Sequence, residues 1–247
     1  MLPDYETCRN HIYGYKHSIN PQIPNRITFP VFWDYKIDLE AAGESILDDK
    51  HLENTAIKLR GLLIYLKMPG ANKTGVCRIQ RVLKEIRPYY SDIGRINLGS
   101  GRIASYRTQM EAIYERLNSV TDGGSQPGTK SSIVGKSAIL MAVWGQIPRF
   151  DVLNRRRFEK WTHSPAPARL PHINAREIWY GPSEFADIVE ELDKWVLAWP
   201  VNNDGRSFND SFFDLCPGVP PGRQIDIIYH WKMPDPRVDY RLQSQGS

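Results

Sequence analysis

Apolar side chains in the middle of the chain recur every three or four positions, the spacing that aligns them on one face of a helix. This pattern predicts three helices, over residues 52–66, 76–86 and 103–117. Pro88 is expected to end the second of them, because proline cannot continue a helix without losing a backbone hydrogen bond. The segment before residue 46 is rich in proline, asparagine and aromatics, shows no sustained helical period and is predicted to be irregular.

A polar loop rich in glycine and serine, residues 121–130, separates these helices from a second group. The segment from about residue 136 to residue 144 is apolar nearly all round, which predicts a helix at the centre of the domain with others wrapped around it. A basic helix is expected over residues 151–161. Residues 185–199 have the most regular amphipathic pattern in the chain and predict a further helix.

Two short stretches show a pattern closer to that of strands. They are residues 27–39, broken near Pro30, and the segment in which Ile225, Ile227 and Tyr229 alternate with other residues. The expected fold class is mainly α: a single-domain bundle of about six helices with at most a short strand pair. The single domain spans residues 1–247, and its parts are an irregular N-terminal arm, a helical core and a C-terminal appendage, over residues 1–46, 47–200 and 201–247.

Composition supports a folded domain and limits the kind of partner. Hydrophobic residues make up 41% and charged residues 24% of the 247 positions, which are ordinary values for a chain with a packed core. The net charge is only +4, from 32 basic and 28 acidic residues. A nucleic-acid partner must therefore be recognised by local clusters of basic residues and not by overall charge.

The cysteine spacing and the short apolar runs indicate which metal sites, disulfides and membrane segments the chain can form. Cys8, Cys77 and Cys216 are far apart, so neither a disulfide framework nor a cysteine-ligated metal is expected. The longest apolar run, residues 138–144, is too short to cross a bilayer, and the first residues lack the pattern of a leader. We expect a cytoplasmic monomer with no cofactor, no metal and no membrane partner.

Lys136 and Asp151 are the residues best placed for chemistry. Lys136 begins the buried helix, where the helix dipole and poor solvation both disfavour the ammonium form, and a neutral amine is a nucleophile. A helix of about ten residues is about 15 Å long, and the stretch 145–150 can return about 18 Å. Asp151 can therefore lie beside Lys136. An amine and a carboxylate facing one cleft suit attack on a carbon that becomes cationic, with the carboxylate stabilising the cation.

The same segment resembles a known family. Val134-Gly135-Lys136, the small and aliphatic run through Leu140-Met141-Ala142, and then Pro148 and Asp151 look like the catalytic stretch of helix-hairpin-helix DNA glycosylases. The likeness is closest to the 8-oxoguanine glycosylase branch and its bacterial relatives. The resemblance implies an enzyme that flips a modified base out of double-stranded DNA and cleaves its N-glycosidic bond, with strand cleavage possible afterwards. Both an oxidised base in genome repair and a modified cytosine of phage DNA in antiphage defence fit as substrates.

The resemblance also implies roles for individual residues. Lys136 would attack the anomeric carbon of the sugar and Asp151 would stabilise the oxocarbenium ion, while the backbone at Gly135 and Ser137 would contact DNA phosphate. Gly99 and Gly101 form a Gly-x-Gly before a helix, which fits either a phosphate nest or a tight turn. Basic residues that can contact phosphate flank Asp151, and two tryptophans are base-pocket candidates; these residues are Arg149, Arg155, Arg156, Arg157, Lys160, Trp144 and Trp161. A solvated basic face and core tryptophans are the alternatives.

Two other functions remain open from the sequence. One is a non-catalytic helical protein that binds DNA or another partner through the same helices. The other is a metal-dependent nuclease, since Pro3-Asp4 followed by Asp34-Tyr35-Lys36 imitates a signature in which two carboxylates hold a divalent ion and a lysine assists the water. The nuclease core requires strands around these residues, and residues 27–39 are the only stretch that could supply one there.

Overall fold

The computed structural model describes residues 5–18, 29–66, 74–117, 133–150, 181–202, 205–212 and 218–230. Within these residues the regular structure consists of helices, without a strand, so the prediction of a mainly α domain is confirmed. The α-helices are α1 Tyr5–Ser18, α2 Phe29–Ala41, α3 Leu52–Tyr65, α4 Val76–Ile93, α5 Arg107–Arg116, α6 Ile133–Val143, α7 Pro182–Asn202, α8 Phe208–Ser211 and α9 Pro221–His230. A turn of 3₁₀-helix, Ile103–Tyr106, precedes α5.

The helices pack as a bundle around α6. Helices α3, α4, α5 and α7 contact one another in succession, and α6 packs against both α2 and α3. Every side chain of α6 from Lys136 to Val143 is buried. The all-round apolar pattern of this segment therefore predicted its central position correctly, because a helix with no polar face has to be surrounded.

The N-terminal arm is more regular than its sequence suggested. Helix α2 occupies residues 29–41, most of the stretch for which a broken strand was predicted, so that prediction was wrong. Its buried positions are Phe29, Phe32, Trp33 and Lys36, which is helical spacing with a lysine in an apolar place. Pro30 is tolerated because it lies in the first turn, where its missing N–H has no helical partner to lose.

The lysine of α2 is buried because its charge is balanced locally. The Lys36 ammonium lies 4.4 Å from the centroid of the Trp33 ring and 2.6 Å from a carboxylate oxygen of Glu40, one turn later. A cation on an aromatic face with a carboxylate beside it keeps favourable electrostatic partners when water is removed. The polar residue in the apolar stripe concealed the helical period from the sequence analysis.

The C-terminal appendage is also helical at its centre. Ile225, Ile227 and Tyr229 lie in α9, so the strand predicted there is another correction. The alternation failed as a signal because Asp226, between two of these residues, is itself fully buried and ion-paired. A polar residue alternating with isoleucine indicates a strand only if it faces water, and all residues from 221 to 228 are buried.

Helix α4 continues past the position where the sequence placed its end. Pro88 lies inside the helix, on its exposed side, and the helix runs on to Ile93. A proline inside a helix costs about 3 kcal/mol in lost hydrogen bonding and steric conflict. The turn after Pro88 is held by apolar burial, since Ile86, Tyr90 and Ile93 continue the inward face of α4.

Candidate functional site

The chain reverses direction directly after α6. Gly145 has φ +78, and its N–H donates to the Leu140 carbonyl at 3.3 Å, as in helix ends closed by a left-handed glycine. A Cβ on Gly145 would lie 2.8 Å from Cζ3 of Trp33 and closer still to its neighbouring ring carbon. Both the backbone angle and the packing therefore require glycine where the loop begins.

The loop of residues 144–150 runs back along α6 to the first turn of that helix. The backbone N–H of Phe150 donates to the hydroxyl oxygen of Ser137 at 2.9 Å, and both groups are buried. This is the return path that the sequence analysis expected from chain lengths alone. Residue 150 thus lies against the helical turn that contains Lys136.

Lys136 is buried with its ammonium group over the ring of an aromatic side chain. Only 3% of its surface is exposed, and its ammonium lies 3.7 Å from the centroid of the Tyr114 ring on α5. Tyr114 stacks on Phe185 at 4.5 Å, and Phe150 meets the same Phe185 edge-on at 6.2 Å. These aromatic contacts join the lysine to the end of the return loop. A cation at this distance from a ring face is electrostatically stabilised.

Arg149 points into the protein. Its backbone N–H and its Nε both donate to Oδ1 of Asp226 on α9, each at 3.3 Å, and its Nη1 donates to the Leu66 carbonyl at 3.3 Å. Asp226 is fully buried, and its second carboxylate oxygen accepts from Arg223. The structure places this predicted phosphate contact in an internal ion pair, with its side chain 11% exposed.

Trp144 lies in the core, and Gly99 and Gly101 belong to a loop beside it. The Trp144 indole is 2% exposed, and its N–H donates to the Ile96 carbonyl at 3.0 Å. Gly99 has φ +85, and its N–H donates to the buried Asp193 carboxylate at 2.6 Å. Trp144 is therefore a core residue, and an internal carboxylate already holds the Gly99 amide. Gly101, with φ +69, lies exposed at the tip of the same loop.

The remaining predicted site residues divide into two groups. Gly135 and Ser137 are buried in the first turns of α6, beside Lys136. The residues predicted to follow the return loop lie outside the described part of the chain; they are Asp151, Arg155, Arg156, Arg157, Lys160 and Trp161. The structure brings Phe150, the last described residue of the return loop, against the first turns of α6.

The part of the nuclease signature that the structure describes, Asp34-Tyr35-Lys36, lies on helix α2. Asp34 is exposed on α2, whereas Lys36 points into the protein and pairs with Glu40; Pro3 and Asp4 lie outside the described residues. Among the described residues, no group of three histidine, cysteine or acidic side chains is arranged to hold a metal ion. None of the described helices has the length and apolar character needed to span a membrane.

Tyr114 and Asp226 complete the site, and no sequence signal pointed to either. Tyr114 has the spacing of an ordinary core residue of α5, and Asp226 lies in a segment mistaken for a strand. Comparison with protein-family models, curated proteins and solved structures finds no match to this chain. Function is therefore inferred from the chemistry of these side chains.

Proposed function

We propose that this protein is a DNA glycosylase that extrudes a modified base from double-stranded DNA and cleaves its N-glycosidic bond. The observation that carries the proposal is the 2.9 Å hydrogen bond from the Phe150 N–H to Ser137. It brings the residue before Asp151 against the turn that contains Lys136. In this proposal the Asp151 carboxylate lies beside this turn, where it would stabilise positive charge on the sugar ring during the reaction.

The burial of Lys136 favours water as the nucleophile. The bond between the sugar C1′ and the base nitrogen breaks, and its electron pair leaves with the base. A water oxygen then bonds to C1′ and gives its proton to the Asp151 carboxylate, which acts as a general base. Lys136 can attack C1′ itself only if its side chain leaves the Tyr114 ring, 3.7 Å from its ammonium. The amine, having lost a proton, would then displace the base, and a Schiff base would form as the C1′–O4′ bond breaks and O4′ takes up a proton.

Free-base release is the direct test of the reaction. Purified protein is incubated with duplexes containing 8-oxoguanine, with phage DNA containing glucosylated cytosines and with unmodified DNA, and released bases are identified by mass spectrometry. We expect release from one modified DNA and none from the unmodified control. Asp151→Asn should lower the rate by on the order of 10²- to 10⁴-fold, the usual contribution of a general base. Asp92→Asn, which changes an exposed carboxylate on α4, is the matched control.

Borohydride trapping separates the two nucleophiles. If water attacks, borohydride traps no covalent protein–DNA complex. If Lys136 attacks, the complex forms and disappears in Lys136→Met. Lys36→Met is a close control, because Lys36 is also a buried lysine on an aromatic ring, 5% exposed and 4.4 Å from the Trp33 centroid. Wild-type base release by Asp151→Asn would rule out its proposed role.

A DNA-binding protein without catalysis is the second candidate. It is favoured by the position of the Lys136 ammonium, 3.7 Å from the centroid of the Tyr114 ring, since this contact gives the lysine a structural role. Tight binding of duplex DNA without release of any base from the three substrates would support this function and exclude the glycosylase.

A further inference from the structure

A groove lies on the surface of the protein between α2 and the residues directly before α9. It has a volume of about 260 Å³ and is open to solvent. Most of its lining is apolar and is supplied by Phe29, Pro30, Trp33, Ile37 and Val219. Sites for small molecules usually have volumes of about 300 Å³ or more. This groove is therefore of the size that holds a single protein side chain.

The aromatic base of the groove is rigid. The rings of Phe29 and Trp33 stack at 5.7 Å, and they are only 2% and 8% exposed. The Lys36 ammonium lies 4.4 Å from the centroid of the Trp33 ring. The edge of the same ring packs so closely on Gly145 that an added Cβ there would lie 2.8 Å from Cζ3. Because these contacts fix the Trp33 ring, the groove is formed before anything binds in it.

Two carboxylates stand on the α2 side of the groove. Asp34 and Asp38 are both exposed and are one helical turn apart, a spacing at which Cβ atoms are about 5–6 Å from each other. Among the described residues, neither carboxylate has an ion pair or a side-chain hydrogen bond. The nearby Lys36 pairs with Glu40 instead. Like charges at this spacing destabilise a helix, so a cation from outside the chain would relieve their repulsion.

The combination of apolar base and paired carboxylates favours one kind of side chain. Ile37 lies between the two aspartates in sequence and is 45% exposed, which leaves apolar surface beside the negative charge. Arginine can bury its aliphatic stem on such surface and still present its guanidinium to carboxylates. The planar guanidinium donates paired hydrogen bonds to carboxylate oxygens, whereas the lysine ammonium acts as a point charge. Carboxylates repel the phosphates of DNA, so the partner that fits here is a protein.

We propose that this groove is a docking site for an arginine side chain of a partner protein. The arginine stem packs on Trp33 and Ile37, and its guanidinium binds between Asp34 and Asp38. This arrangement buries an aromatic contact and an arginine together, the residue types that are enriched in protein–protein interfaces. The docking site is independent of the proposed function, because it uses none of the groups assigned to base release.

A titration followed by NMR tests the docking site. The full-length protein, labelled with ¹⁵N, is titrated with a blocked pentapeptide that has arginine between two pairs of glycines, and with the matching lysine and glutamine peptides. We expect saturable shifts of the Asp34, Ile37 and Asp38 amides by the arginine peptide, with a Kd on the order of 1 mM. The lysine peptide should bind several-fold more weakly, and the glutamine peptide should cause no such shifts. Added salt should weaken binding of the arginine peptide.

Charge-removing variants show whether the carboxylates are responsible. The double variant Asp34→Asn with Asp38→Asn should bind the arginine peptide about tenfold or more weakly, because the charge-assisted hydrogen bonds are lost. Asp92→Asn with Glu115→Gln is the matched control, since it removes the same charge from exposed positions on α4 and α5. It should bind as wild type does. A dispersed amide spectrum of each variant shows that the fold is retained.

Separate results would overturn the docking site. It fails if the glutamine peptide shifts the same amides with a similar Kd, or if the double asparagine variant binds the arginine peptide as tightly as the control does. It also fails if the groove amides shift on dilution of the unlabelled mixture-free protein alone, because the occupant would then be a second copy of this chain. None of these results affects the base-release assay, so this proposal and the glycosylase are tested independently.

Discussion

Replacement of Gly222 by alanine probes the contact between α9 and the return loop. Gly222 lies in the first turn of α9, where helix propensity alone would favour alanine by about 1 kcal/mol. An added Cβ would lie 2.6 Å from the carbonyl carbon of Ile147 and closer still to its N and O. Those are backbone atoms, held in place on one side by the Gly222–Gly145 hydrogen bond and on the other by Asp226 and Ser137.

The expected loss of stability follows from these distances. Carbon atoms that do not share a bond separate to about 3.5 Å or more, so the helix and the loop must move apart by about 1 Å. Overpacking of this kind costs about 1–3 kcal/mol. Weakening the hydrogen bonds from Gly222 to Gly145 and from Arg149 to Asp226 adds about 1 kcal/mol each. After the gain in helix propensity is subtracted, the net destabilisation is about 2–4 kcal/mol.

Thermal denaturation followed by circular dichroism measures this loss. In a domain of this size each kcal/mol lowers Tm by about 2–4 °C, so Gly222→Ala should melt roughly 5–15 °C below wild type. Gly75→Ala is the control: Gly75 precedes α4 with φ −72, and nothing lies within 4 Å of its added Cβ. It should lower stability by only about 0.5–1 kcal/mol, because alanine is a poorer N-cap than glycine but meets no neighbouring atom. A Gly222→Ala protein as stable as wild type would refute the close approach of α9 to the loop.

Two further predictions concern other parts of the fold. Tyr90→Phe should lower the urea midpoint by the equivalent of about 1–2 kcal/mol at unchanged m-value, because the buried hydroxyl, whose pKa is raised by its burial, donates to the Val143 carbonyl at 2.9 Å at the end of α6. Hydrogen bonds from Lys50 and His51 hold the pKa of Glu44 below its ordinary value of 4.5. Because the folded pKa is the lower one, this stabilisation is present above pH 4.5 and disappears as pH falls through the folded value. Urea midpoints of wild type and Glu44→Gln should therefore differ at neutral pH and converge once the pH is below the folded pKa of Glu44, and a constant difference would contradict the assignment.

The sequence predicted those helices whose buried faces are apolar. Helices α3, α5 and α7 follow their hydrophobic period, and α6 is buried all round as its composition indicated. The sequence predicted that α4 ends at Pro88, which was wrong, because the rule for proline considers only local hydrogen bonds. In the folded protein, burial of Tyr90 and Ile93 outweighs the lost bond at Pro88.

The sequence failed where polar residues are buried. Lys36 in α2 and Asp226 in α9 stand at inward positions, and each is stabilised by partners that the linear pattern does not reveal: the Trp33 ring and Glu40 in one case, two arginines in the other. A hydrophobic period counts such residues as exposed. Both helices were therefore read as short strands.

The candidate site could be predicted as far as chain lengths allow. A helix of known length and a short return segment limit where residue 150 can lie, and the Ser137–Phe150 hydrogen bond falls within that limit. The partners that hold the loop could not be predicted in this way. Asp226 and Tyr114 reach it from distant parts of the sequence, and only the packing of α9 and α5 brings them there.

Helix α9 has a composition that stability alone does not explain. Its residues 221–228 are all buried, yet they include Arg223, Gln224 and Asp226, and Oε1 of Gln224 has no hydrogen-bond partner among the described residues. Leucine or methionine at these positions would avoid the loss of hydration. Directional contacts are what polar groups add to a packed helix, and here Asp226 makes them to the backbone and side chain of Arg149 in the return loop. The burial of α9 is thus best understood as support for that loop.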